Sequence, residues 1–61
     1  MSASVLVVDD ETGMRETLVD ILEAAGYTVT PAEDGAVALE MARTHPYDVI
    51  VMDIRMPILT G

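Results

Sequence analysis

The sequence contains no cysteine, no lysine, no phenylalanine and no tryptophan. Without cysteine no disulfide can form, and this absence agrees with a reducing cytoplasm. The chain does not open with a basic segment followed by a long apolar core, so we expect no signal peptide. No apolar run approaches the ~20 residues of a membrane span. These absences lead us to expect a cytoplasmic protein that has no membrane partner.

Positive charge is also scarce, since three arginines face eleven acidic residues and the net charge is −8. A nucleic-acid surface needs clustered lysine and arginine to neutralise phosphates. An anionic membrane surface attracts basic segments for the same reason. We therefore expect no nucleic-acid partner and no membrane-surface partner.

The length of 61 residues allows one small domain at most. Folding of a chain this small buries only about 60% of the surface that the unfolded chain exposes. Because no disulfide adds to that small core, a partner, a metal or self-association would contribute needed stability.

The first half of the chain predicts a buried strand and then an amphipathic helix. Residues 4–8 include four consecutive apolar residues, as in a parallel strand that is covered on both faces. Residues 12–25 change to a helical period, with Arg15 pointing away from the core, and Gly26 supplies the stop. The predicted inward face is Met14, Leu18, Ile21, Leu22 and Ala25.

The second half predicts an edge strand, a second helix and a third strand. Residues 27–30 alternate and close at Pro31, which suits the edge of a sheet. Asp34 is placed to cap a helix over 35–44, and a strand over 48–52 follows. The predicted inward residues of the second helix are Val37, Ala38 and Met41, with Leu39 as a further candidate.

The resulting order, βαβαβ, predicts an α/β fold with a parallel sheet and right-handed crossovers. The weakly apolar second strand belongs at the edge, and the strongly apolar first and third strands belong inside. We therefore expect the strand order 2-1-3 in a doubly wound sheet.

Three acids follow the two strongly apolar strands. Asp9 and Asp10 end the first strand, and Asp53 ends the third. In an open parallel sheet, ligands bind beyond the carboxyl ends of the strands where the winding reverses, and here that point lies between these acids. The carboxylates would repel one another unless a cation bound among them or one of the acids kept its proton. The sequence therefore predicts an oxygen-lined site suited to Mg²⁺.

These residues resemble a known family. The Asp9-Asp10 turn, together with Asp53 and the Met56-Pro57 and Gly61 that follow it, is similar to the receiver domain of two-component response regulators. That domain has a flavodoxin-like fold with the same strand order at its winding reversal.

The resemblance implies a role for each acid. Asp53 would be the phosphoacceptor, taking a phosphoryl group from a histidine kinase or a phosphotransfer protein. Asp10 would bind Mg²⁺ directly beside Asp53, Asp9 would act through bound water, and the backbone carbonyl of Arg55 would be a further ligand. The protein would be a phosphoacceptor and not an enzyme.

The resemblance covers residues 1–61 but only the first half of a receiver domain, its first three strands and two helices. The hydroxyl residue after the fourth strand and the lysine after the fifth have no counterpart here. We therefore expect a half-domain that binds Mg²⁺ weakly and lacks full switching activity.

Several alternatives stay open at this point. The first is a self-associating fragment in which the third strand or exposed apolar faces form a homo-oligomer, such as a two-fold dimer. A second is that Asp9 or Asp10 only caps the first helix. An aspartate-nucleophile phosphohydrolase is disfavoured, because Arg55 stands where that class carries a second acid. A dinucleotide binder is disfavoured by the acids in the first turn.

Overall fold

The computed structural model describes residues 2–52, which form a three-stranded parallel sheet and two helices. Strand β1 spans Ser4–Val8, β2 spans Thr28–Ala32 and β3 spans Val49–Met52. The strand order is β2-β1-β3, so the predicted order 2-1-3 is confirmed. The predicted α/β class and parallel pairing are confirmed as well.

Strand β1 is central because its apolar run can be covered on both faces. Val5, Leu6, Val7 and Val8 are all buried. Leu6 and Val8 form a core with Ala32 and Ala38, and parts of the second helix pack against it. Val5 and Val7 point to the opposite face, because side chains alternate along a strand. The first helix lies against β1 and β2 and covers them there.

Helix α1 spans Thr12–Ala24 and ends as its sequence predicts. Gly26 has φ +100°, in the left-handed region that favours glycine. Its N–H donates to the Glu23 carbonyl at 3.0 Å, and the Tyr27 N–H donates to the Leu22 carbonyl at 3.1 Å. These two bonds form a Schellman motif, which explains why the helix stops here.

The predicted inward face of α1 is partly wrong. Ile21 is 58% exposed, Met14 and Ala25 are also exposed, and no residue of the helix is fully buried. The half-buried residues are instead Arg15, Leu18, Val19 and Leu22. The difference arises from how α1 is rotated about its own axis. The helix packs against β1 and β2 with Met14 and Ile21 on the side that faces away from these strands. Arg15 therefore faces the protein, whereas its charge had suggested that it would point away from the core.

Helix α2 spans Gly35–Thr44, with Asp34 as its N-cap. The Oδ1 atom of Asp34 accepts a hydrogen bond from the Val37 N–H at 2.8 Å, so the predicted cap is confirmed. Ala38 is buried, and Val37 and Met41 pack against the core, as predicted. The prediction that Leu39 is a further inward residue is wrong, since its side chain is 64% exposed on the outer side of the helix.

The two remaining strands differ slightly from their predicted bounds. Pro31 lies within β2 and pairs with Val7. An edge strand tolerates this proline because only one side of the strand needs hydrogen bonds.

Before β3, Asp48 Oδ2 accepts from the Ser4 N–H at 2.7 Å and from Ser4 Oγ at 3.2 Å. This clasp ties the segment before β3 to the start of β1.

Strand β3 is the least covered part of the sheet. Val49, Ile50 and Met52 are exposed. Within residues 2–52, β3 pairs with β1 and with no other strand. The helices of this part of the chain are all too short or too polar to cross a membrane.

Candidate functional site

The candidate site is the turn formed by Asp9, Asp10 and Glu11, which we call the acidic turn. It joins the carboxyl end of β1 to the start of α1. Asp9 is only 1% exposed, because it continues the central strand beyond its last apolar residue. Its N–H donates to the Ala32 carbonyl at 3.1 Å, which extends the pairing with β2 by one bond. The backbone of Asp9 is therefore fixed by the sheet.

The two carboxylate oxygens of Asp9 have different surroundings. Oδ1 accepts a hydrogen bond from the Glu11 N–H at 2.9 Å, which closes a tight turn of the Asx type. Oδ2 is buried and has no hydrogen-bond partner among the described residues. A buried carboxylate oxygen without a partner is unfavourable, since it has lost water and gained nothing in return. This oxygen is therefore available to a ligand.

Asp10, the next residue, is exposed, so its carboxylate can reach a ligand from the solvent side. The capping alternative does not hold for either aspartate. The N-cap of α1 is Glu11, and its side chain makes no capping hydrogen bond. The first N–H groups of the helix, which carry its positive dipole end, thus begin beside the acidic turn without a carboxylate cap.

Arg15 is the residue of this site that the sequence did not predict. Its Nη1 atom donates to the Asp9 carbonyl oxygen at 2.7 Å, and Nη2 lies 3.5 Å from Thr12 Oγ1. A signal was present in the sequence, because Arg15 stands three residues before Leu18 and four before Val19. Those spacings put all three on one side of a helix.

Asp53 and Arg55, the other predicted site residues, lie outside the described residues, as does the rest of the 53–61 motif. Their predicted roles stay predictions. Met52, the residue before Asp53, pairs with Val8, the residue before Asp9. Among residues 2–52 no group of three or more histidine, cysteine or acidic residues is arranged to hold a metal. The structure thus brings Asp9 and Asp10 to the predicted edge and leaves the three-acid cluster untested.

A comparison with known protein families identifies the family of this chain. Residues 5–61 match the model of the response regulator receiver domain. The chain belongs to this family. Its buried Asp9 and exposed Asp10 stand at the carboxyl end of the receiver's central strand.

Individual relatives agree with the family. Response regulator MprA of Mycobacterium ulcerans is 48% identical over all 61 residues, which are 26% of that protein. MprA of Mycobacterium tuberculosis (strain ATCC 25618 / H37Rv) is 44% identical over the same length. A solved structure of the chemotaxis response regulator CheY4 of Vibrio cholerae is 43% identical, with a TM-score of 0.90. The match includes every residue of this receiver chain and spans 51% of the length of the solved chain.

Proposed function

We propose that this receiver chain is a phosphoacceptor of two-component signalling, with Asp53 as the acceptor and a histidine kinase or a phosphotransfer protein as the donor. The observation that supports this most is the buried Oδ2 of Asp9, which has no hydrogen-bond partner among residues 2–52, beside the exposed Asp10. A buried oxygen that the described residues leave free, at the carboxyl end of the central strand, suits a ligand at the winding reversal. The proposal includes a cytoplasmic location, which agrees with the cysteine-free sequence.

The donor atoms at this edge fit Mg²⁺. The ion prefers oxygen ligands and keeps several of its waters, so it needs only a few carboxylates. In the proposed site Asp10, Asp53 and the Arg55 carbonyl would hold the ion directly, and Asp9 Oδ2 would accept from one of its waters. When bound, Mg²⁺ would offset the charge of the phosphoryl oxygens as they approach the acids.

The proposed transfer is a simple displacement. A carboxylate oxygen of Asp53 attacks the phosphorus of a phosphohistidine, the new O–P bond forms and the N–P bond breaks. The electron pair of the broken bond stays on the histidine nitrogen, and the product is an aspartyl phosphate. The chain acts here as the acceptor of the group and not as an enzyme. Catalysis of such transfers depends mainly on positioning and on charge stabilisation.

We further infer that the 61 residues correspond to the N-terminal half of a receiver, since they cover 51% of the solved relative. The chain has no lysine, so the family's phosphate-binding lysine is not among these residues. We expect weak Mg²⁺ binding and a low yield of phosphorylation.

The test is incubation with acetyl phosphate and Mg²⁺, followed by mass spectrometry of the intact chain and of its peptides. We expect a small phosphorylated fraction that maps to Asp53, requires Mg²⁺ and is absent from Asp53→Asn. Asp20→Asn, at an exposed residue of α1, is the control for loss of one negative charge. The same yield in wild type and in Asp53→Asn would contradict the proposal.

A second candidate function, self-association, is favoured by β3. Its residues Val49, Ile50 and Met52 are exposed, and the strand contains no charged residue that would discourage pairing. Two chains could join their third strands around a two-fold axis into a six-stranded sheet. Sedimentation equilibrium at micromolar concentration separates a dimer from a folded monomer, and the monomer would rule out this candidate.

A further inference from the structure

Of the two arginines in residues 2–52, Arg15 is the one whose guanidinium is directed towards the fold. Arg43, the other arginine in residues 2–52, has a side chain that is 73% exposed and lies 3.8 Å from Glu40. Arg15 is half-buried, and its Nη1 is 2.7 Å from the Asp9 carbonyl oxygen. A hydrogen bond from a charged donor at that distance belongs to the stronger class of protein hydrogen bonds.

The acceptor of the Arg15 hydrogen bond is a backbone atom. Three carboxylates lie within the acidic turn, yet Arg15 bonds a backbone carbonyl there. The single ion pair found among residues 2–52 is Arg43–Glu40, and Arg15 forms none. The guanidinium therefore holds the turn without occupying a carboxylate. A salt bridge to Asp9 or Asp10 would instead have competed with a cation for the same oxygens.

The bond from Arg15 completes the anchoring of Asp9. The Asp9 N–H donates to Ala32, its carbonyl accepts from Arg15, and Oδ1 accepts from the Glu11 N–H. Only Oδ2 remains without a partner in the described structure. With its backbone held from both sides and one carboxylate oxygen fixed, Asp9 has little freedom to swing Oδ2 towards another group. Preorganisation of this kind is what partners of metal ligands usually provide.

We propose that Arg15 is a positioning residue for the acidic turn. Its hydrogen bond to the Asp9 carbonyl holds the Asp9 peptide so that Oδ2 and the neighbouring Asp10 carboxylate stay open to a divalent cation. The part of this proposal that concerns the cation rests on the proposed function, and the part that concerns the turn does not.

The test compares Arg15→Met with Arg43→Met, because both remove one positive charge and only the first removes the bond to the turn. We measure amide hydrogen exchange without metal and then titrate Mg²⁺ by calorimetry and amide chemical shifts. Arg15→Met should speed exchange at the Glu11 amide more than at the β1 amides. It should also weaken Mg²⁺ binding about tenfold, the lower end of the effect of removing a partner of a metal ligand.

The sign of the affinity change separates positioning from simple charge. Loss of a nearby positive charge should by itself tighten binding of a cation, and Arg43→Met should show at most this small effect. Tighter or unchanged Mg²⁺ binding in Arg15→Met would overturn the proposal. Equal acceleration of exchange at all amides would overturn it as well, since that result would mean a loss of overall stability alone.

Arg15→Lys and the wild-type titration separate the role of Arg15 in the turn from overall stability and from metal binding. Arg15→Lys retains the charge and one donor, so it should restore part of the Glu11 protection and part of the affinity, and it replaces Arg15→Met if that variant does not fold. A failure of Arg15→Lys to exceed Arg15→Met in either respect would count against positioning. If the wild-type chain bound no Mg²⁺, the metal part of the proposed function would fail, while Glu11 exchange would still decide the role of Arg15 in the turn.

Discussion

At the scale of single residues, Asp9 shows how one side chain can be both anchored and unsatisfied. Its Oδ1 closes the turn to Glu11, and its Oδ2 is buried with no partner in the described chain. A charged oxygen in that position reduces the stability of the metal-free protein. Binding sites often keep such groups, because what disfavours the free protein favours the ligand.

The buried Oδ2, which has no partner among the described residues, predicts the effect of Asp9→Asn. The amide keeps the oxygen that accepts from Glu11 and removes a buried charge from the acidic turn. We expect the metal-free chain to gain about 1 kcal/mol in free energy of unfolding, the usual size of such polar changes. We also expect Mg²⁺ to stabilise the variant less than it stabilises wild type. Urea unfolding with and without Mg²⁺ measures both.

Asp20→Asn is the matched control for this prediction, because Asp20 is exposed on α1 and the charge change is the same. It should leave the stability nearly unchanged and should keep the response to Mg²⁺. A loss of stability in Asp9→Asn would contradict the reading of Oδ2 as an unfavourable buried group.

At the scale of elements, the sequence predicted most of the structure, and its misses have a common cause. Strand β1, the cap at Asp34 and the stop at Gly26 depend on local chemistry, so they could be read directly. The exposure of Ile21 and the inward position of Arg15 depend on how α1 rotates against the sheet. Periodicity gives the apolar side of a helix, but the neighbouring strands decide which part of that side is buried.

The two glycines at the ends of α1, Gly13 inside its first turn and Gly26 just after its last, predict opposite effects of substitution by alanine. Gly26 has φ +100°, so Gly26→Ala should lower the free energy of unfolding by about 1 kcal/mol, the strain of a left-handed residue with a Cβ. Gly13 lies within α1, and a Cβ there meets no atom within 4 Å. Gly13→Ala should therefore raise the stability by about 0.5 kcal/mol.

Thermal unfolding followed by circular dichroism measures this pair of variants under identical conditions. A Cβ at Gly26 also meets no atom within 4 Å, so backbone strain is the only cause that separates the two sites. Equal stabilities of the two alanine variants would contradict the Schellman ending of α1.

At the scale of the whole molecule, the predicted order 2-1-3 is confirmed, and Asp9 and Asp10 follow the central strand of the sheet. Topology was predictable because the apolar content of each strand limits where it can lie. The same order leaves β3 with one paired edge within residues 2–52. The behaviour of the 61-residue chain in solution therefore depends on what meets that strand.

If two chains pair through β3, Val49→Lys should weaken the dimer, because a charged side chain on an edge strand discourages pairing. We expect the dissociation constant to rise at least about tenfold, which corresponds to roughly 1.4 kcal/mol. Leu39→Lys is the control, since Leu39 is 64% exposed on α2 and the change of charge and apolar surface is comparable. Analytical ultracentrifugation measures both variants.

Salt gives an independent check of the dimer. The chain carries a net charge of −8, so two copies repel each other, and higher ionic strength should strengthen their association by screening that repulsion. Weaker association of Leu39→Lys than of Val49→Lys, or dissociation on adding salt, would contradict pairing through β3.

The central position of β1 also affects how the chain is made. β1 is synthesised before β3, and the clasp between Ser4 and Asp48 joins residues 44 apart, so β3 can pair with β1 only after those intervening residues have been made. At ribosomal rates of about 5–20 residues per second, that delay lasts roughly 2–9 s. Until β3 is made, β1 has no strand on that edge within the described part of the chain, and an unpaired apolar strand edge is prone to aggregation.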